Sequence, residues 1–236
     1  MIAVDTFFQR LMASKTVIAL DGPAGSGKST VARHLSQTLN FEYLDSGAIY
    51  RTLTYFGLHY LGSSCQGREE EIAAWFSKNS DQMKINYQDR TQVMWLKGND
   101  ISQQIRTPEV TRDVRFVSDS PACRDIVNQK MRDLAEHYPV VIDGRDIGTK
   151  VFPQTPHKFY LDAEPVIRAT RRAKEMGVPL EGEAFDKLLA DILDRDASDM
   201  ARKIAPLCQA EDALLIDTSS LAIDEVVETI KTRLEK

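Results

Sequence analysis

The chain has 236 residues, 42% hydrophobic and 28% charged, which is ordinary for a soluble globular protein and long enough for one large α/β domain with an inserted subdomain. A net charge of −5 removes the global field that would favour nucleic acid or an anionic membrane, although arginines crowd locally into 106–132, 145, 168–172 and 195–202. Three scattered cysteines, Cys65, Cys123 and Cys208, argue against a disulfide frame or zinc site, and no apolar run approaches the ~18 residues of a membrane span.

The opening stretch MIAVDTFFQRLMAS has no charged region ahead of a long apolar one, so residues 1–14 read as an extension and not as a signal peptide. TVIALD (16–21) is then the first of five short apolar runs, followed by FEYLD (41–45), VVID (140–143), KFYLDA (158–163) and LLID (214–217). Near-continuous apolar character without alternation is what a parallel strand covered on both faces requires. Val31, Leu35 and Leu39 form one helical stripe, and Ile223, Val226, Val227, Ile230 and Leu234 form another. Strand and helix in alternation predict a doubly wound α/β core.

Directly after the first run, GPAGSGKS (22–29) fits G-x-x-x-x-G-K-[ST] without a mismatch. Gly22, Gly25 and Gly27 allow successive backbone N–H groups to turn inward around phosphates, Lys28 would reach the β- and γ-phosphates, and the Ser29 hydroxyl would coordinate Mg²⁺. An Asp ending a strand completes many such sites. Asp21, Asp45, Asp143, Asp162 and Asp217 all qualify, and each is equally open to a capping role. Asp143 is preferred because Gly-Arg-Asp follows it.

DSGAIYR (45–51) begins at a strand end and enters a helix, where Ser46 and the helix amides offer an anion seat, with Arg51 further along. The gap before the third apolar run is about ninety residues, too long for one crossover. Within it, 81–100 alternates around a polar break at 88–91 and predicts an antiparallel hairpin, while 107–137 reads as helices with Pro121 starting the second.

DGRDIGT (143–149) places Arg145 and Asp146 in a glycine-flanked turn at a strand's C-terminal end, the ligand side of an open α/β sheet; a loop-stabilising ion pair is the alternative. RATRRAK (168–174) is either a solvated basic face or a clamp over phosphates. In RDASDMAR (195–202), Arg195, Asp199 and Arg202 share a helical face, and on spacing alone the default is a solvated ion pair. The four histidines have no ligand spacing, and Trp75 and Trp95 read as core.

The stretches IALDGPAGSGKST, YLDSGAIYR, IRTPEV, DGRDIGT, VFPQTPHKFYLDA and RDASDMARKIAPL, in this order from about residue 16 to the C-terminus, resemble the bacterial cytidylate kinases. The resemblance implies a nucleoside-monophosphate-kinase fold. That fold is a P-loop core with a five-stranded parallel sheet flanked by helices, an inserted monophosphate-binding subdomain with a small antiparallel sheet, and a short lid. It implies a core of 15–47 and 133–236 with the lid at about 164–182, and an acceptor-binding domain of 48–132 with the antiparallel sheet at about 78–106.

By motif, the resemblance gives ATP to Gly22, Pro23, Ala24, Gly25, Ser26, Gly27, Lys28, Ser29 and Thr30, with Arg171 and Arg172 from the lid. It gives CMP to Ser46, Arg51, Arg124, Arg145, Asp146, Asp199 and Arg202, and catalysis to Lys28, Arg145, Arg195 and Arg202. Mg²⁺ falls to Ser29 with Asp143 behind it. Arg124 and Asp146 match residues that read the cytosine. Two positions depart from the family: Arg115 stands where a V-S-x-V serine contacts the base, and Ser198 where a close relative carries arginine.

The implied reaction is transfer of the ATP γ-phosphoryl to CMP or dCMP by a cytoplasmic monomer with no nucleic-acid or membrane partner. The closest rival is a P-loop kinase for UMP, AMP or a small alcohol. A GTP-binding switch protein is a rival of another class, but it calls for an N-K-x-D motif that the sequence lacks.

Overall fold

Val17–Asp21, read from the sequence as the first buried strand, forms β1, with every residue buried. The computed structural model describes residues 15–62, 64–88 and 91–235 of the chain, so the 1–14 extension lies outside the described residues. β2 (Glu42–Asp45), β6 (Val140–Gly144), β7 (His157–Asp162) and β8 (Leu214–Asp217) complete a five-stranded parallel sheet in the order β2-β6-β1-β7-β8. Asp21 at the end of β1 stands in register with Gly144 of β6 and Tyr160 of β7. β1 is thus the central strand, and both loops that leave its neighbours open at its C-terminal end, where such sheets bind ligands.

Two compact units divide the chain, one of residues 1–42 with 138–236, the other of residues 43–137. In the first, α1 (Lys28–Leu39) buries the predicted stripe of Val31, Leu35 and Leu39, and Asn40 ends it in a left-handed conformation. α6 (Pro165–Met176) and α7 (Glu183–Met200) occupy the charged 164–202 segment, with Gly177 in the left-handed region closing α6. α8 (Ile223–Leu234) packs Val226, Val227, Ile230 and Leu234 inward.

In the second unit, α2 (Ser46–Phe56) runs into a π-helical turn at Gly57–Leu61, and α3 (Glu69–Lys78) follows. The predicted hairpin is β3 (Met83–Gln88) against β4 (Thr91–Leu96) in antiparallel register, extended by the short β5 (Asn99–Asp100). α4 (Pro108–Asp119) and α5 (Pro121–Ala135) each begin with proline behind a hydroxyl cap. Thr107 accepts from the Val110 amide and Ser120 from the Cys123 amide, so the chain restarts sharply between the two helices. Among the described residues, no helix is long and apolar enough to cross a membrane.

Candidate active site

The glycine loop joins β1 to α1, and its glycines are fixed by neighbours as well as by backbone angle. Gly22 has φ +145°, and a Cβ there would lie 2.0 Å from the Leu161 carbonyl oxygen on β7. Gly25 has φ +77°, and its Cβ would meet the Arg168 Cβ at 3.0 Å. At Gly22 a side chain would collide outright, and at Gly25 it would be strained by the left-handed backbone and crowd Arg168. Gly27, also left-handed, starts α1 by accepting from the Val31 amide at 3.0 Å.

Lys28 is buried, and its ammonium donates to the Pro23 carbonyl at 2.6 Å and to Ser26 Oγ at 3.4 Å. Burial holds its pKa below the usual lysine range; the Arg145 cation depresses it further, while Asp143 and Asp21 oppose both. Of the rest of the loop, Pro23 and Ser26 are buried and Ala24 half-buried; Thr30 is exposed on α1. Ser29 Oγ donates to Asp143 Oδ2 at 2.6 Å. A hydroxyl beside a carboxylate is a hard oxygen donor set of the kind Mg²⁺ prefers. Among the described residues there is no cluster of three or more His, Cys, Asp or Glu that could hold a metal.

On the same unit, the loop after β6 brings Arg145 to Asp199 of α7, with Nε on Oδ2 at 2.9 Å. Arg202 takes the other oxygen, Oδ1, at 2.7 Å. Asp199 is 4% exposed, so the solvated-face reading of 195–202 does not hold for it: a carboxylate shared by two arginines is held away from water. Arg195 lies on the exposed side of α7, near enough for its charge to depress the Lys28 pKa. Asp146 is buried directly after Arg145, and its carbonyl accepts from the Lys150 and Val151 amides at 2.9 and 3.2 Å.

The basic run on α6 divides three ways. Arg171 donates to Thr218 through its hydroxyl at 3.1 Å and its carbonyl at 2.5 Å, and reaches to 3.9 Å from where a Gly27 Cβ would stand. Arg172 instead pairs with Glu175 on the exposed side. Arg168 is buried, donating to the Ala163 carbonyl at 2.8 Å and the Ala24 carbonyl of the glycine loop at 3.0 Å, and pairing with Asp196 of α7 at 2.5 Å.

In the second unit, Asp45 caps α2 through the Ala48 amide at 3.0 Å and pairs with Arg106 at 3.0 Å. The anion seat read at Ser46 therefore already has one of its amides engaged by a protein carboxylate, while Ser46 itself is buried. Arg51 donates to Thr111 Oγ1 at 2.8 Å and to the Ile105 carbonyl at 3.4 Å. Arg124 is buried, donates to the Ser118 carbonyl at 3.0 Å and stands 5.6 Å over the Tyr50 ring. Arg115 is exposed and lies 4.7 Å over the ring of Phe116 beside it.

The sequence reading passed over Arg168, Asp196 and Thr218 as individuals. Thr218 Oγ1 lies 2.9 Å from the Ser26 carbonyl, which makes it a support of the glycine loop from the far end of the chain. Asp196 carried one available signal, lying four residues after the buried Ile192 on the same face of a charged helix, whereas Arg168 falls about 100° around the helix from the buried Ala169 and carried none.

A cytidylate kinase family model matches residues 18–236. A cytidylate kinase of Desulforamulus reducens is 42% identical over 95% of this chain and 99% of its own. One from Halalkalibacterium halodurans is 42% identical over 92% of this chain and 96% of its own. Among solved structures, an uncharacterized protein from Eubacterium ventriosum superposes with a TM-score of 0.54 at 12% identity, over 94% of this chain and 99% of that one, a likeness of fold alone. With a glycine loop seated on a buried lysine, and a family match running nearly the whole length, the chain belongs to the cytidylate kinase family.

Proposed function

We propose that this chain transfers the γ-phosphoryl of ATP to the 5′-phosphate of CMP and dCMP, giving ADP and the corresponding diphosphate. The observation that carries the reading is that one unit holds both the glycine loop with Lys28 and the Arg145–Asp199–Arg202 cluster, with the Arg145 charge felt at Lys28. A loop that cradles one anion and an arginine set that can hold another are what transfer between two phosphates requires. The acceptor phosphate is already ionised near neutral pH, so no general base is needed.

On this reading, Lys28 and the backbone N–H groups of the loop from Gly22 to Thr30, all but that of Pro23, hold the triphosphate, and Arg171, anchored on Thr218, covers it from α6. Arg172 is assigned to the same lid. Ser29, with Asp143 behind it, would hold Mg²⁺, which neutralises charge on the β- and γ-phosphates. Arg145, Arg195 and Arg202 stabilise the transferring group, for which the fork geometry of guanidinium is better suited than ammonium. Ser46, Arg51, Arg124, Arg145, Asp146, Asp199 and Arg202 are assigned to CMP. Asp146 can accept from the cytosine amino group, and Arg124 can donate to its ring nitrogen and carbonyl. A cytoplasmic monomer is the state proposed for the protein. Incubation with γ-labelled ATP and CMP should place the label on CDP in a 1:1 ratio to ADP; label released as inorganic phosphate instead would overturn the reading.

A further inference from the structure

Of the five aspartates that end strands, Asp21 has a use that the phosphate chemistry does not explain. It closes the central strand, one residue before the glycine loop, yet its carboxylate turns sideways to the loop after β6. Oδ1 accepts from the Ile147 amide at 2.8 Å and Oδ2 from the Gly148 amide at 2.7 Å. Those two amides come immediately after Arg145 and Asp146.

The contact is built closely. Asp21 is 5% exposed. A Cβ on Gly148 would meet the Lys158 stem at 3.1 Å and Asp21 Oδ2 at 3.3 Å, so residue 148 lies in tight contact with both. Downstream, the π-helical turn at Ile147–Val151 closes on itself, with the Phe152 amide on the Ile147 carbonyl at 2.7 Å. Upstream, Gly144 is held in the sheet beside Asp21 itself. The Arg145–Asp146 dipeptide is thus fixed on both sides, and on the downstream side by one carboxylate.

We infer that Asp21 is a positioning residue, which sets the backbone of Arg145 and Asp146 for the acceptor without touching either substrate. The inference rests on the proposed acceptor role of those two residues. Its energetic setting supports it. Burial raises the Asp21 pKa to about 6; the two amides lower it, the Asp146 carboxylate raises it and Lys28 lowers it. Tyr160, from β7, also feels the Asp21 charge, and the Lys158 stem lies beside Gly148. A charge kept in a place where it weakens the fold at neutral pH is characteristic of a functional requirement.

The test is Asp21→Asn, equal in shape but able to offer an oxygen to only one amide while its NH₂ faces the other. Expected are a fall in kcat with CMP of about 10²-fold, the size that a misplacement of about 1 Å produces, and a raised KM for CMP. The Kd for ATP should stay within about threefold, and the Ile147 or Gly148 amide should lose hydrogen-exchange protection. Wild-type kinetics in a folded Asp21→Asn protein, or ATP affinity falling in step with kcat, would overturn the inference. Gly148→Ala, whose methyl would press on both the Lys158 stem and the same carboxylate, should produce the same split, and decides the matter if Asp21→Asn does not fold. Arg145→Ala is measured in parallel. A drop there with none in Asp21→Asn sinks the inference and leaves the acceptor reading standing; no drop in Arg145→Ala sinks both.

Discussion

Arg145 donates through Nε to Asp199 Oδ2 at 2.9 Å, and this one buried carboxylate also carries Arg202 at 2.7 Å on its other oxygen. Two like charges are held side by side by an anion between them, an arrangement ready for a second anion to join. Replacing Asp199 with Asn keeps the shape and removes the charge. The expected result is a loss of about 3 kcal/mol in stability, as for a broken buried pair, and about 10²-fold in kcat/KM for CMP, with ATP affinity retained. Urea melts and steady-state kinetics measure both; an unchanged acceptor KM would contradict the role given to the cluster.

Arg168 ties three pieces of the first unit together: the Ala24 carbonyl, the end of β7 at Ala163, and Asp196 of α7. Asp196 Oδ1 is buried without a hydrogen bond, so its charge depends on Arg168. Arg168→Met should destabilise the fold by about 3–5 kcal/mol. Adding Asp196→Leu should return part of that loss, giving a coupling of more than about 1 kcal/mol in a double-mutant cycle. Strict additivity would show that the pair is not the reason Arg168 is buried.

The charge on Asp21 gives a pH signature of known sign. Its pKa is raised to about 6 in the folded protein from 3.8, so between those values the folded state binds the proton more readily than the unfolded one. The fold therefore gains from this group as pH falls through about 6 and loses that gain as pH rises. Relative to Asp21→Asn, wild type should become more stable by about 2 kcal/mol between pH 7 and pH 4.5, read from urea midpoints. A difference independent of pH would show that the carboxylate is not held against its charge.

The thiols supply a simpler check of packing in the second unit. Cys65 and Cys123 are fully buried, and burial raises their pKa values to about 12 and about 11, whereas Cys208 is exposed. A disulfide reagent at pH 8 should titrate one thiol per native chain and three after unfolding, since the thiolate is the reactive form. Rapid reaction of a second thiol in the native protein would contradict the packing around α3 and α5.

The five strand-end aspartates mark where sequence reading succeeds and where it stops. All five runs are strands, but the expectation of cover on both faces fails for LLID (214–217): β8 is an edge strand on which only Ile216 is buried, while Leu214 and Leu215 are exposed. The Asp at the end of each looked alike, but the structure gives them separate partners. Asp143 takes Ser29, Asp21 the amides after Arg145, Asp45 the start of α2, Asp162 the Ala163 amide and Asp217 the Ser219 amide. Which partner each meets is decided by neighbouring strands and loops up to 127 positions away, and no local pattern encodes that. The glycine loop was legible because its spacing is itself the mechanism. The burial of Asp199 was not, since the i, i+4, i+7 spacing of 195–202 is the same whether the face meets water or the loop after β6.

The most direct test of the central claim is kcat/KM for ADP release measured with CMP, dCMP, UMP, AMP and no acceptor, on one preparation. The account predicts turnover that requires an acceptor, with CMP and dCMP at least about 10²-fold above AMP, the discrimination expected of a site that reads a base by hydrogen bonds. Equal rates with CMP and AMP, or ADP release that proceeds unchanged without any acceptor, would contradict it.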